Sequence, residues 1–424
     1  MYFRYAIFAV AVALLANLAK ADDWANWRGP AGNGTAPGSG YATTWSDSTN
    51  VAWKVDLPGK AGSTPIVVRD AVFMTSAIDG KDGLIKFDRS GTKLWEVTLG
   101  AEKEGKHRKG SGSNPSPISD GDLVFVYYKS GDFAAVDFSG KIVWQKNLQQ
   151  EYGEDTLWWD LGTSPVLTEK HVVVACVQSG PSYLAAFDKQ TGELAWKFER
   201  NTGAPEEAAQ TYATPIVTHY KGQEQIIVLG ADQVTCHDAK DGKQLWYLSG
   251  MNPGQERFFR SISSPVLSGD IVIAPYARGN SLTAIRMGGS GDISKSHKLW
   301  SIESPSADVP TPAATAEHVF VCTDKGVVAC LESATAKEVW RTELQKNRNA
   351  YSASPILVDG KLYLVREDAA AFVLDAKTGE QIGEANTLSD QYVVATPVFV
   401  DGDILLRTFS QLYCFRSKES ASRD

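Results

Sequence analysis

A Ser-Pro or Thr-Pro pair followed by small or β-branched residues recurs eight times in this chain. The prolines are Pro65, Pro117, Pro165, Pro215, Pro265, Pro312, Pro355 and Pro397. Successive gaps are 52, 48, 50, 50, 47, 43 and 42 residues, so one supersecondary unit of about 40–50 residues repeats eight times. A unit of that size cannot bury its apolar face alone and must stack on its neighbours. This constraint overrides the two or three domains that a length of 424 residues would otherwise suggest.

The third unit shows the pattern best. Thr163-Ser164-Pro165-Val166-Leu167 opens a strand, where proline is tolerated because its missing N–H falls at the strand start. The run from His171 to Val177 reads as a buried strand, and a Gly-Pro-Ser turn at 180–182 returns the chain through Tyr183 to Asp188. After Asp188-Lys-Gln-Thr-Gly192 comes a fourth strand through Trp196 to Phe198. The Asp supplies backbone hydrogen bonds and the Gly a left-handed turn residue. The same grammar recurs at Asp88, Asp137, Asp238 and Asp375. It degrades at Glu332 to Ala336, and in the fifth unit a Gly-rich excursion from Met287 to Gly291 replaces it.

A Trp marks the fourth strand at Trp95, Trp144, Trp196, Trp246, Trp300 and Trp340, with Gly383 in the comparable place of the seventh unit. The last unit has three strands, whereas Asn50 to Val55, around Trp53, is a Trp-type strand without a preceding Pro strand. The two balance if the ring closes on itself, which leaves no open edge. The prediction is an all-β, eight-bladed β-propeller of four-stranded antiparallel blades over residues 50–416, its N-terminal strand completing the last blade. The seven Trp residues are expected to be structural wedges between blades.

The grammar Ala-x-Asp-x-x-Thr-Gly-x-x-x-Trp, best seen from Ala185 to Trp196, resembles the tryptophan-docking repeats of the pyrroloquinoline quinone (PQQ)-like β-propeller family. The segment Trp24 to Gly34, containing Trp27-Arg28-Gly29-Pro30, is similar to the leader of secreted PQQ-like propellers. The resemblance implies either of two classes. One is a binding or scaffold propeller, as in BamB-type proteins. The other is a quinoprotein oxidoreductase acting on alcohols or sugars with PQQ and calcium. The oxidoreductases of that family carry adjacent cysteines and long covering insertions, and this chain has neither. No H-E-x-x-H, G-x-S-x-G or phosphate-cradling Gly-rich motif occurs either. A non-catalytic role without cofactor or metal is therefore the expectation.

Residues 1–21 read as an export signal: Arg4, an apolar stretch from Tyr5 to Leu18, and an Ala19-Lys20-Ala21 cleavage site. Cleavage is expected after Ala21, giving a secreted or periplasmic protein that is not transmembrane. No Cys near that site offers a lipid anchor. Residues 22–49 form a leader segment and residues 417–424 a disordered tail. The net charge of −8 and the lack of a basic block argue against nucleic acid. Of the five cysteines, Cys322 and Cys330 are close enough to face each other across one hairpin, and export would permit that bridge.

In a meandering propeller the loops entering each first strand share a face with the turns joining second and third strands. Several of these loops are long, and such loops commonly carry function. Onto that face they bring His107, Arg108 and Lys109, then Trp158, Trp159 and Asp160, then Arg257 and Arg260. The turns add Arg278 and Arg366, with Arg407 just before the last such turn, at related positions in three blades. Cations and aromatics around one mouth suit a protein partner or an extracellular ligand, carbohydrate or anionic. The rival reading is that the charges are solvated and the aromatics plug the channel.

Overall fold

The computed structural model describes residues 23–417. The expected export signal and cleavage point lie outside them, as do residues 418–424 of the expected tail, whereas Ser417 is placed and donates to the Gly40 carbonyl. Eight sheets stand around a central axis, and their innermost strands follow the eight Ser/Thr-Pro pairs. Blade 1 spans 66–101, blade 2 118–147, blade 3 166–199 and blade 4 216–248. Blade 5 spans 266–302, blade 6 313–343, blade 7 356–375 and blade 8 398–416. Val51–Asp56 pairs antiparallel with Gln411–Arg416 and so completes blade 8 from the other end of the chain. The eight-bladed, N-terminally closed propeller is therefore the observed fold.

The repeat grammar has a packing cause. The indole N–H of Trp53 donates to the carbonyl of Arg89 at 2.8 Å, and that of Trp144 to Lys189 at 2.9 Å. Trp340 reaches Ala376 at 2.9 Å. In each case a Trp of one blade docks on the turn between the third and fourth strands of the next, Asp-x-x-Thr-Gly under Trp144 and Trp340 and the shorter Asp88-Arg-Ser-Gly91 under Trp53. The turn glycine must lack a side chain because the ring rests on it: a Cβ at Gly192 would lie 2.6 Å from Trp144, and one at Gly379 2.5 Å from Trp340. A β-bulge immediately before the Trp recurs on all seven Trp strands, for example between Lys86 and Phe87 opposite Trp95. The extra residue tips each ring toward the neighbouring blade.

Three details depart from the repeat. The outer strand of blade 7 is reduced to isolated bridges at Gln381 and Asn386, and Thr35–Ala36 of the leader adds a parallel strand at its inner edge. From the same leader, Trp45 stacks on Tyr363 of blade 7 and Phe415 of blade 8, at 6.4 and 5.2 Å between centroids. It bridges blades 7 and 8, where the repeat offers Gly383 instead of a docking Trp. The Gly-rich excursion of blade 5 lends Gly291–Asp292 to the edge of blade 4. All five cysteines are free: Phe320, not Cys322, lies opposite Cys330, so the bridge considered from sequence does not form.

Candidate functional site

The Ser or Thr before each proline sends its backbone N–H to the next blade and turns its hydroxyl toward the preceding one. The Thr64 N–H donates to Ser116 Oγ at 2.9 Å, Ser116 to Ser164 at 2.9 Å, and Ser164 to Thr214 at 3.0 Å. Thr214 donates to Ser264 and Ser264 to Thr311, both at 2.9 Å, and Thr311 to Ser354 at 3.0 Å. Ser354 reaches Thr396 at 3.3 Å, and Thr396 returns to Thr64 at 3.1 Å. Eight hydrogen bonds thus close a ring around the axis, one from each blade to the next. All eight residues line a cavity of about 540 Å³.

Side chains two residues apart on an extended strand share a face, so a second tier sits above the ring. In blade order it is Gly62, Asn114, Gly162, Tyr212, Ile262, Val309, Ser352 and Val394, and all eight line the cavity. Blades 1 to 3 give a small or polar arc, and blades 4 to 6 an apolar one. Repetition fixes the lower tier, whereas the upper tier differs from blade to blade.

The leader closes the far end. Trp24 pairs with Val67 of blade 1, and the Ala25 carbonyl accepts from Ser119 of blade 2 at 3.0 Å. Asn33 and Gly34 accept from Ala314 of blade 6 and Leu357 of blade 7. Between these anchors Arg28, fully buried, donates to the carbonyls of Pro312 at 2.6 Å and Pro355 at 3.2 Å. Burial pulls its guanidinium down to about 9, which still leaves it charged at neutral pH. Gly34 leaves room for it, since a Cβ there would fall 2.0 Å from Nη2. Trp27, beside Arg28, lines the cavity. The channel is blind and opens on the loop-rich face.

At the mouth, most charges are committed. Asp160 accepts from the buried Lys129 at 2.5 Å and from the backbone of Lys106 and His107. Lys109 meets Glu367 at 2.5 Å. Arg260 lies between Glu207 at 3.4 Å and Asp308 at 3.0 Å, and Arg278 stands 3.7 Å from Glu207. Burial pushes Asp308 up, against the pull of Arg260 and Arg278. Burial also pushes Asp324 up, to about 6, although it accepts from the backbone of Asp308 and Val309.

Six of the residues singled out from sequence line the cavity together: His107, Lys109, Trp159, Asp160, Arg260 and Arg278. Arg108, Trp158 and Arg257 are exposed on the surrounding face. Arg366 and Arg407 depart from expectation, since neither presents its charge at the mouth. Arg366 is buried in a two-point pair with Asp368 over the Phe372 ring. Arg407 is fully buried at the blade 8–blade 1 seam, donating to Ser63 Oγ at 2.5 Å and the Thr75 carbonyl at 2.6 Å, and burial pulls it down to about 9. Sequence reasoning missed Trp27, Glu207 and Asp308. The Ser/Thr-Pro spacing did carry the signal for the ring.

Next to the cavity lies an aromatic patch. Among the described residues eight large apolar side chains are exposed. Four, Leu94, Val143, Leu299 and Val339, are the extra residues of Trp-strand bulges, and Leu194 is on such a strand. The fold accounts for these. It does not account for Trp158, Trp159 and Phe258, each 42–48% exposed on the loop face. Trp158 and Phe258 are 6.2 Å apart, and His107 packs edge-on to Trp159. The backbone beneath is fixed: Trp158 N–H donates to Gln210, Trp159 N–H to the Tyr212 hydroxyl and its indole to Glu207.

The profile of the family described as outer membrane protein assembly factor BamB matches over residues 35–176, 80–249, 159–292 and 290–393. The chain belongs to this family. BamB of Burkholderia pseudomallei (strain K96243) is 23% identical over 354 residues, covering 79% of this chain and 82% of that protein. BamB of Moranella endobia (strain PCIT) is 27% identical over 235 residues, about half of each chain. Among solved structures, Moraxella catarrhalis BamB superposes with a TM-score of 0.60 at 12% identity, covering 87% of this chain and 99% of that one. The quinohemoprotein alcohol dehydrogenase of Comamonas testosteroni gives 0.63 at 13% identity, covering 94% and 81%. A europium-containing methanol dehydrogenase gives 0.67 at 10%, covering 93% and 98%. At these identities the likeness is one of fold.

Proposed function

We propose that this BamB-family propeller is an exported, non-catalytic scaffold that holds a protein partner in the cell envelope through its loop-rich face. The observation that carries this reading is the Trp158, Trp159 and Phe258 patch. It is apolar where no packing requirement explains it, and its supporting loops are already hydrogen-bonded in place. A pre-ordered aromatic cluster loses little entropy on docking, and such side chains dominate binding energy at interfaces. The relatives' name, an outer membrane protein assembly factor, fits a role among envelope proteins.

The test is capture of envelope proteins on the immobilised protein, with and without Trp158→Ser and Phe258→Ser together. The expected result is one or more partners retained by the parent and lost from the variant, at unchanged thermal stability. An identical retained set for both proteins would refute the assignment of this face.

The quinoprotein reading shares the fold and an axial cavity. Its donor set does not fit, however. Among the described residues no three His, Cys, Asp or Glu side chains are grouped as a metal would require, and all five cysteines are free and non-adjacent. Dye reduction by alcohols or aldoses after addition of PQQ and calcium would reinstate it.

A further inference from the structure

We propose that the blind channel is a binding site for a neutral sugar of one or two pyranose rings. The site lies below the aromatic patch and is independent of any protein partner there. A volume of about 540 Å³ is that of a small-molecule pocket, and the leader's Trp27 and Arg28 give it a floor.

Charge decides against an anion. Lys109, Arg260 and Arg278 each face a carboxylate, of Glu367, Asp308 and Glu207 in turn, and Asp324 adds a further carboxyl group to the wall. The charged side chains that line the cavity show no excess of cations, Lys109, Arg260 and Arg278 being matched by Asp160, Asp308 and Asp324, so an anionic ligand would displace existing pairs. A polyhydroxylated neutral molecule would not.

Hydrogen-bonding capacity points the same way. Every ring hydroxyl, from Thr64 to Thr396, accepts from a backbone N–H, and none of the eight donates to another described residue. Their O–H groups are free to donate to sugar oxygens. A pyranose has a polar rim and an apolar C–H face, and the upper tier has that same division. Gly62, Asn114 and Gly162 form its small or polar arc, and Tyr212, Ile262 and Val309 its apolar arc. Trp27 below and Trp159 above supply indoles that would report occupancy by fluorescence.

The experiment titrates the full protein with maltose, cellobiose and N,N′-diacetylchitobiose, reading tryptophan fluorescence and saturation-transfer NMR. The expected result is saturable binding of at least one, with a dissociation constant on the order of 1 mM or tighter. Gly162→Leu should weaken it at least about tenfold by filling the cavity. Gly162→Ala should change it little, because a Cβ there makes ordinary contact, 3.5 Å from the Tyr212 carbonyl. Val394→Phe, from a different wall, is the second blocking variant should Gly162→Leu not fold. No saturation by any of the three sugars up to about 10 mM would overturn the proposal. So would binding that survives both blocking variants, which would place the sugar on the exposed Trp158 instead. Tighter binding of citrate than of any sugar would also overturn it.

Discussion

The backbone N–H of Thr396 donates to the hydroxyl of Thr64 at 3.1 Å, joining the last blade to the first across 332 residues of sequence. It is the eighth link of a ring in which the other seven join consecutive blades. Each link satisfies an N–H that is buried and has no sheet partner. Thr64→Val keeps the shape and removes the acceptor, so the Thr396 N–H is left buried without its partner. The expected cost is about 1–3 kcal/mol, read as a lower midpoint in chemical unfolding. Thr64→Ser should restore the parent value. Equal midpoints for Val and Ser would show that the ring contributes shape alone.

Gly379 tests the docking grammar. It has φ +76°, and a Cβ there would fall 2.5 Å from the Trp340 ring. Gly222 has nearly the same φ, +79°, with nothing within 4 Å of a Cβ. Gly222→Ala should therefore cost about 1 kcal/mol, from backbone strain alone. Gly379→Ala adds a steric clash of about 1–3 kcal/mol. The gap between the two melting temperatures measures how closely the tryptophan is held. If the two variants melt together, the ring is free to move.

These features were legible because they repeat. Ser/Thr-Pro, Asp-x-x-Thr-Gly and Trp each act between adjacent blades, so their spacing alone fixed the blade count and the closure. Arg407 was misread for the complementary reason. It ends the second strand just before the turn, whereas Arg278 lies in its own turn, and its neighbours across the seam, Ser63 and Thr75, offer buried acceptors. That contact spans more than 330 residues and leaves no periodic trace. The path of residues 23–49 is likewise non-repetitive, so neither the channel floor at Trp27 nor the role of Trp45 could be read in advance. The upper tier escaped notice because its chemistry changes from blade to blade, although its position follows from strand alternation.

Trp45 should be as important as any docking Trp of the repeats. It is 3% exposed between Tyr363 and Phe415, and its backbone N–H donates to the Asn386 side chain at 2.7 Å. Trp45→Ala should cost about 3–5 kcal/mol, more than Ala does at the outward-facing Trp158. Differential scanning calorimetry of the two variants compares them directly. Equal, small losses would mean that the leader merely lies on the propeller.

Asp82 gives the fold a pH dependence of unusual sign for a carboxylate. It is wholly buried where blade 1 meets blade 2, and burial pushes it up to about 7. The Ser130 hydroxyl, donating at 2.5 Å, pulls it down, while Asp132 and Glu102 push it further up. In the unfolded chain it titrates near 3.8. Between these values the native state holds a proton that the unfolded chain has released, so stability falls as pH rises. The contribution is intact below about pH 4 and lost by about pH 7. Asp82→Asn removes the linkage and keeps an acceptor for Ser130. Its stability relative to the parent should therefore rise between pH 5 and pH 8, by on the order of 1–3 kcal/mol. Urea midpoints at the two pH values measure this difference, and parallel behaviour of the two proteins would show that Asp82 is ionised in the native state throughout.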